Sequence, residues 1–382
     1  MSAREQILTH ATLVLDDETI DGTLVIRDGR IAAVDHGASQ IAGAIDCEGD
    51  ILLPGLVELH TDNMEKYFQP RPKVEWPGLQ AALAHDAQMA ASGITTVFDA
   101  VSVGDVDEQS MRHGSLDDMC QALARIAHEG LARVDHRLHL RCEVSHPNTL
   151  ARFHELSSSP LLGLVSLMDH APGQRQFASL EAYRIYYQGK YKLDDAAMDA
   201  FMASQIDNSQ RYSAEHRRAI AAICRERGLA IASHDDASVE HVAESADYGT
   251  RVAEFPTTLE AAEASHRAGM AVMMGAPNVV RGGSHSGNIA AAALVELGVL
   301  DILSSDYYPA ALLDAVFKVA AMENGYALPH AVATATRIPA EAVGLADRGR
   351  LAPGLRADLL RVRVIDGHPV MQRVWSAGQQ VH

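Results

Sequence analysis

Six short segments of the chain end in side chains that could bind a metal or move a proton: His60-Thr61-Asp62, Glu143, Asp169-His170, His234-Asp235-Asp236, Glu254 and Asp306. His60 and Asp62 stand two apart in an apolar run, so in a strand both face the same side. An imidazole and a carboxylate that converge with further His and Glu residues form an N/O donor set suited to Zn²⁺ or another divalent ion. Taken singly, each residue is equally well explained as a loop cap. The set is not, because burying many unpaired ionisable groups is costly and a cation offsets that cost.

Such residues need a scaffold that brings them together. Between about residues 50 and 345, short apolar runs alternate with helix-patterned segments: ILLPGLVELHTD, GITTVFDAVS, HRLHLRCEVS, LLGLVSLMDH, LAIASHDD, TRVAEF, MAVMMGAP and DILSSD. Eight strand–helix repeats predict an α/β fold, a (β/α)8 TIM barrel whose strands are buried on both faces. Chemistry in such a barrel sits at the C-terminal strand ends, where every residue named above falls. SAEHRRAIAAICRERG has helical character, and TTLEAAEASHRAG adds a Thr257-x-x-Glu260 capping box. The stretch 171–212 is too long for an ordinary connection and is expected to be an active-site insertion or lid.

Both ends of the chain have β character. Short β-branched runs near the N-terminus are punctuated by Asp21-Gly22 and Asp28-Gly29, which predict hairpin turns. The last thirty residues have a similar pattern. The expected organisation is a small β-sandwich from residues 1–52 and 346–382 around a barrel of residues 53–345.

Composition excludes other classes. The chain has 382 residues, is 47% hydrophobic and carries 32 Lys+Arg against 50 Asp+Glu, for a net charge of −18. A sizeable core is available, and a general nucleic-acid or anionic-membrane binder is disfavoured. A phosphorylated small molecule in a local basic pocket remains compatible with that charge. The 4 cysteines have no CxxC spacing, which predicts reduced thiols. No apolar signal core opens the chain and no run approaches ~18 apolar residues, so a soluble cytoplasmic protein is expected. Of 19 histidines, helix-borne ones such as His216, His241 and His266 are expected to be structural.

The segment DILLPGLVELHTDNMEK (50–66) resembles the first-strand signature of the amidohydrolase superfamily, and GRLAPGLRADLL resembles its return into the terminal β-domain. More narrowly, HTDNMEKYFQPRPKVEWP, SHDD, AEFPTTLEAA, MGAPNVVRGGSHSGN and LSSDYYPAALL together resemble the PhnM family of phosphonate metabolism, over nearly the whole chain. The resemblance implies hydrolysis of α-D-ribose 1-methylphosphonate 5-triphosphate to the 5-phosphate and diphosphate. It implies one or two divalent ions, Zn²⁺ first with Mn²⁺ or Fe²⁺ as alternatives, and Mg²⁺ accompanying the triphosphate. His60, Asp62, His234 and Asp306 match family ligands, Asp306 also as general base. VSLMDH lacks the bridging lysine of many relatives, and Glu143 resembles the glutamate that replaces it in others. Glu254 stands where a histidine is common, either as a ligand or as a residue orienting one.

A triphosphate needs local positive charge. Arg281-Gly282-Gly283-Ser284-His285 follows the seventh strand and is expected to open a helix, where backbone N–H groups could face phosphate. Lys66 and Arg175 are the further expected phosphate contacts, and His170 is another candidate. A C–N amidohydrolase acting on a cyclic amide or amino-purine, and a non-catalytic scaffold of the same fold, are the alternative readings. Homo-oligomerisation is left open.

Overall fold

The computed structural model describes residues 5–71, 73–104, 112–175, 180–284 and 287–382. His285 lies outside the described residues. Strands β1 (Gln6–Val14), β2 (Thr19–Arg27), β3 (Arg30–His36), β4 (Ile45–Asp46) and β5 (Ile51–Pro54) open the chain. Eight more follow: β6 (Leu56–Thr61), β7 (Ile94–Val103), β8 (Asp135–Glu143), β9 (Leu162–Met168), β10 (Ala230–His234), β11 (Val252–Glu254), β12 (Ala271–Gly275) and β13 (Ile302–Ser304). The last three are β14 (Leu359–Ile365), β15 (His368–Ser376) and β16 (Gln379–Gln380).

The middle eight form one sheet in sequence order, β6 through β13, and a bridge from Thr61 to Asp306 joins its two edges. This is the expected barrel. Strands such as β6 and β10 are buried at every residue, which is why they appear as continuous apolar runs without alternation. By chain contacts, Met1–Asp99, Met119–Arg137 and Met274–His382 form one compact unit, and Ala100–Asp118 with Leu138–Met273 form another.

The two termini meet in a single sheet of order β16-β15-β14-β5-β1-β2-β3, with β4 beside β1. Pairing of β5 with β14, Leu53 opposite Leu360, joins the N-terminal and C-terminal contributions. The sheet continues to Pro54, past the expected edge at residue 52. Its buried face packs Leu8, Leu24, Ile31 and Leu52 around Trp375, whose indole N–H donates to Gln6 Oε1 at 3.0 Å. Just before β5, the carboxylate of Asp50 accepts from Arg361 Nε at 2.5 Å and Arg363 Nε at 2.6 Å.

Local signals were resolved unequally. Asp28-Gly29 is a tight hairpin turn with both φ positive, +52° and +77°, as the type I′ geometry requires. Asp21-Gly22 is no turn; it lies inside β2. Glycine is needed there for a different reason: a Cβ would come within 2.5 Å of the Asp35 carbonyl oxygen on β3. The helix Leu259–Arg267 is capped by Thr258, not Thr257, because the Thr258 hydroxyl accepts from Ala261 N at 3.1 Å. The Thr257 amide is instead bonded to Asp236 O. Much of the 171–212 stretch is helical. Helix Leu180–Tyr191 is followed by the 33-residue helix Asp195–Arg227, capped by the Asp194 side chain and closed by Gly228.

Candidate metal centre

The exits of β6 and β13 are built around a carboxylate that sequence reasoning passed over. Glu58 is fully buried, two residues before His60 on the same strand face. It accepts from the backbone amides of His60 at 2.6 Å and Ser305 at 2.5 Å. The Ser304 hydroxyl lies 2.7 Å from both Glu58 Oε1 and the His60 carbonyl. Burial holds the Glu58 carboxyl above the usual carboxylate range, against the hydrogen bonds that favour its charge. Glu58 therefore ties the strand that carries His60 and leads to Asp62 to the one that precedes Asp306. The Asp306 amide reaches Ser304 Oγ at 3.3 Å, and Asp306 itself takes a left-handed φ of +55°.

A second group belongs to β8 through β11. Glu143 ends β8, and its carboxylate accepts from His170 Nδ1 at 2.7 Å, the His170 amide at 3.2 Å and the Ser145 hydroxyl at 2.6 Å. Burial works against the charged forms here, yet the pairing prevails. It holds Glu143 below and His170 above their ordinary values. His234 ends β10 with its Nδ1 3.1 Å from Glu254 Oε2, and the same carboxylate oxygen accepts from Ser166 at 2.7 Å. With Nδ1–H committed to Glu254, the lone pair of His234 lies on Nε2. That arrangement is the one a metal-bound histidine uses.

The fit to a cation can be judged from one atom. His170 Nε2 is buried and has no hydrogen-bond partner, while Asp235 Oδ2 stands 3.9 Å away. His234 Nε2 is 3.6 Å from the same carboxylate oxygen. Ligand atoms of His170, His234 and Asp235 all lie within 4.8 Å of one another. Two imidazole nitrogens and a carboxylate facing one small volume suit a divalent ion with N/O preferences. Asp235 was named in the sequence only as a strand-end residue, and its left-handed φ of +55° turns it back beside its neighbour.

The expected phosphate contacts fare differently. Arg281 does not open a helix; it ends the helix Ala276–Arg281, and Gly282 closes that helix with φ +83°. The amides of Gly282 and Gly283 both bond to the Asn278 carbonyl, at 3.1 and 2.9 Å, so neither is available to an anion. Ser284 follows this cap. Arg175 is buried and paired with Asp236 at 2.5 Å and with Glu244, which makes it a structural clamp. His170 is engaged by Glu143 and faces the ligand group. Lys66, in the helix Glu65–Phe68, keeps its place close after Asp62; burial lowers its pKa while the Asp62 charge opposes that.

The amidohydrolase family model matches residues 72–382. The chain belongs to that family. It is therefore a hydrolase, and one relative of nearly equal length is named for such an activity. The α-D-ribose 1-methylphosphonate 5-triphosphate diphosphatase of Escherichia coli (strain K12) is 53% identical over 376 residues, covering 98% of this chain and 100% of the relative. A solved amidohydrolase structure superposes with TM-score 0.66 at 17% identity, covering 99% of this chain and 98% of the other. N-acetyl-D-glucosamine-6-phosphate deacetylase from Mycobacterium smegmatis, solved with N-acetyl-D-glucosamine-6-phosphate, gives 0.64 at 18% identity, covering 99% of each chain. These two likenesses establish the fold alone. In this amidohydrolase, no helix among the described residues is long and apolar enough to cross a membrane.

Proposed function

We propose that this amidohydrolase hydrolyses α-D-ribose 1-methylphosphonate 5-triphosphate to the 5-phosphate and diphosphate. The observation that carries the reading is the 53% identity, across both chains almost end to end, with the E. coli diphosphatase. We assign the metal to His60, Asp62, Glu143, His234 and Asp306, with His170 joining this set and Asp235 beside it. Zn²⁺ is the ion expected first, from the N/O donors. A divalent ion held there supplies Lewis acidity and brings the ionisation of water toward neutral pH.

The chain's own residues do the rest. Asp306 takes the proton of the attacking water as general base. Glu254 is read as the residue that keeps His234 in its ligating tautomer, leaving the ligand role to the imidazole. Glu143 and His170 hold one another in register through their 2.7 Å contact. Lys66, close in sequence to Asp62, is the cation proposed to meet the phosphate chain, with Arg281 as a second contact through its side chain alone.

Metal-loaded protein incubated with the triphosphate and followed by ³¹P NMR tests this. The expected result is diphosphate and the 5-phosphate in equal amounts. Release of orthophosphate only, or turnover of a cyclic amide in place of the triphosphate, would overturn it.

A further inference from the structure

Away from the strand exits, four ionisable side chains lie in a buried row: His85 and Asp86 on the helix Gly78–Ala91, Asp99 on β7 and His136 at the start of β8. Three of them are fully buried and His136 is 2% exposed. Asp99 stands between two imidazoles, accepting from His85 Nε2 at 2.6 Å and from His136 Nδ1 at 2.7 Å. The far nitrogen of His136 meets Asp86 at 3.4 Å, and Asp86 is anchored by the Arg133 amide and guanidinium, each at 2.8 Å.

A row of this kind is a poor way to gain stability. Desolvating the charges is costly, and apolar residues of similar volume often serve as well or better. The return must be sought at the end of the row, where the proton positions are forced. Asp99 accepts a hydrogen bond from the Nε2–H of neutral His85, so Nδ1 of that ring is left as an acceptor. It faces the Asn63 amide nitrogen at 3.5 Å, and the same nitrogen donates to Gln88 Oε1 at 2.8 Å. His85 and Gln88 are three apart on one helix face, and Tyr67 adds a hydroxyl to Gln88 Oε1. Asn63 Oδ1 is buried without a partner, so the orientation of the amide is set by its nitrogen. Asn63 directly follows Asp62, and its own amide reaches Thr61 Oγ1 at 3.3 Å.

We infer that His85, oriented by the Asp99–His136 pair, is a positioning residue: through Asn63 it holds the turn that aims Asp62 at the metal. The inference rests on the assignment of Asp62 as a ligand. His136, facing a carboxylate at each nitrogen, is held up to about 9 although burial opposes its charge. Its proton therefore stays in place at neutral pH, and the direction of the row with it.

The test is a double-mutant cycle read in metal affinity. His85→Gln keeps a donor near the Nε2 position for Asp99 but removes the acceptor that Asn63 meets. Asn63→Ala removes the other partner and leaves the buried row intact. Chelator-competition titration of the full-length protein is expected to show each variant losing about 10–100-fold in metal affinity, the usual loss for residues that orient ligands. The double variant is expected to be no weaker than the weaker single one, since both cut one link. Thermal unfolding of the metal-free proteins supplies the control for packing, and Asn63→Ala alone decides the matter if His85→Gln does not fold. Parental affinity in a folded variant, or independent additive losses, would overturn the inference. If the parent protein itself binds no divalent ion, the assignment of the metal centre fails instead.

Discussion

Replacing Glu254 by Gln separates a residue that orients a ligand from one that binds the metal. The carboxylate has two short contacts on one oxygen, 2.7 Å to Ser166 and 3.1 Å to His234 Nδ1. Glutamine can still accept from Ser166 or from His234, but it carries no charge to fix the His234 proton on Nδ1. A hydrogen bond to a charged group contributes about 1.5–3 kcal/mol, and at 1.4 kcal/mol for each factor of ten that corresponds to roughly 10–100-fold in metal affinity. The fully buried glutamate also bears a desolvation cost that glutamine avoids, so metal-free Glu254→Gln should unfold no earlier than the parent. Affinity is read by chelator competition and stoichiometry by elemental analysis at saturating metal. An unchanged number of bound ions with weakened affinity is the expected pair of results. Loss of a whole ion per chain would make Glu254 a ligand, and unchanged affinity would remove it from the site altogether.

Asp306→Asn at saturating metal should lower diphosphate release by about 10²–10⁴-fold, the range for a lost general base; near-parental turnover would refute that role. Arg175→Met leaves Asp236 buried without its cation and should cost about 3–5 kcal/mol in urea unfolding. The KM of the folded fraction should stay unchanged; a raised KM with an unchanged unfolding midpoint would return Arg175 to the substrate. The His136 value, about 9 against an ordinary 6.5, predicts a stability contribution complete below pH 6.5 and lost as pH rises through 9. Melting temperatures of the metal-free protein from pH 6 to 10 should fall accordingly, and His136→Gln should flatten that slope.

The barrel was legible because strands such as β6 and β10 are buried on both faces and so leave short, largely apolar runs ending in polar residues. The ligand candidates were legible for the same reason: a histidine or carboxylate closing such a run has nowhere to go but the strand exit. Glu58 could have been found by this logic, since a charge inside LPGLVELH has no solvent to face. What the sequence withheld were partnerships across long separations. Arg175 looked like a free cation because Asp236 and Glu244 are more than sixty residues away. Gly282-Gly283 looked like an anion cradle, but glycine ends helices more often than it opens them, and here it closes one. The Asp21-Gly22 pair shows the same ambiguity, since glycine marks either a turn or a close approach between strands. The row from His85 to His136 leaves no periodic trace, because its members come from a helix and two strands.

The join between β5 and β14 has a consequence for how the protein is made. Pro54 closes β5, and after Gly55 the chain enters the strand that carries His60. Yet the partner of β5 in the sheet, Leu359–Ile365, is separated from it by the whole barrel. Asp50, with both its arginine partners on β14, likewise waits as an uncompensated acid. During synthesis the base of the strand that carries His60 therefore emerges early and stays half-paired until that late segment leaves the ribosome. A nascent chain arrested before Leu359 would hold all of its barrel strands and still lack the support of the first.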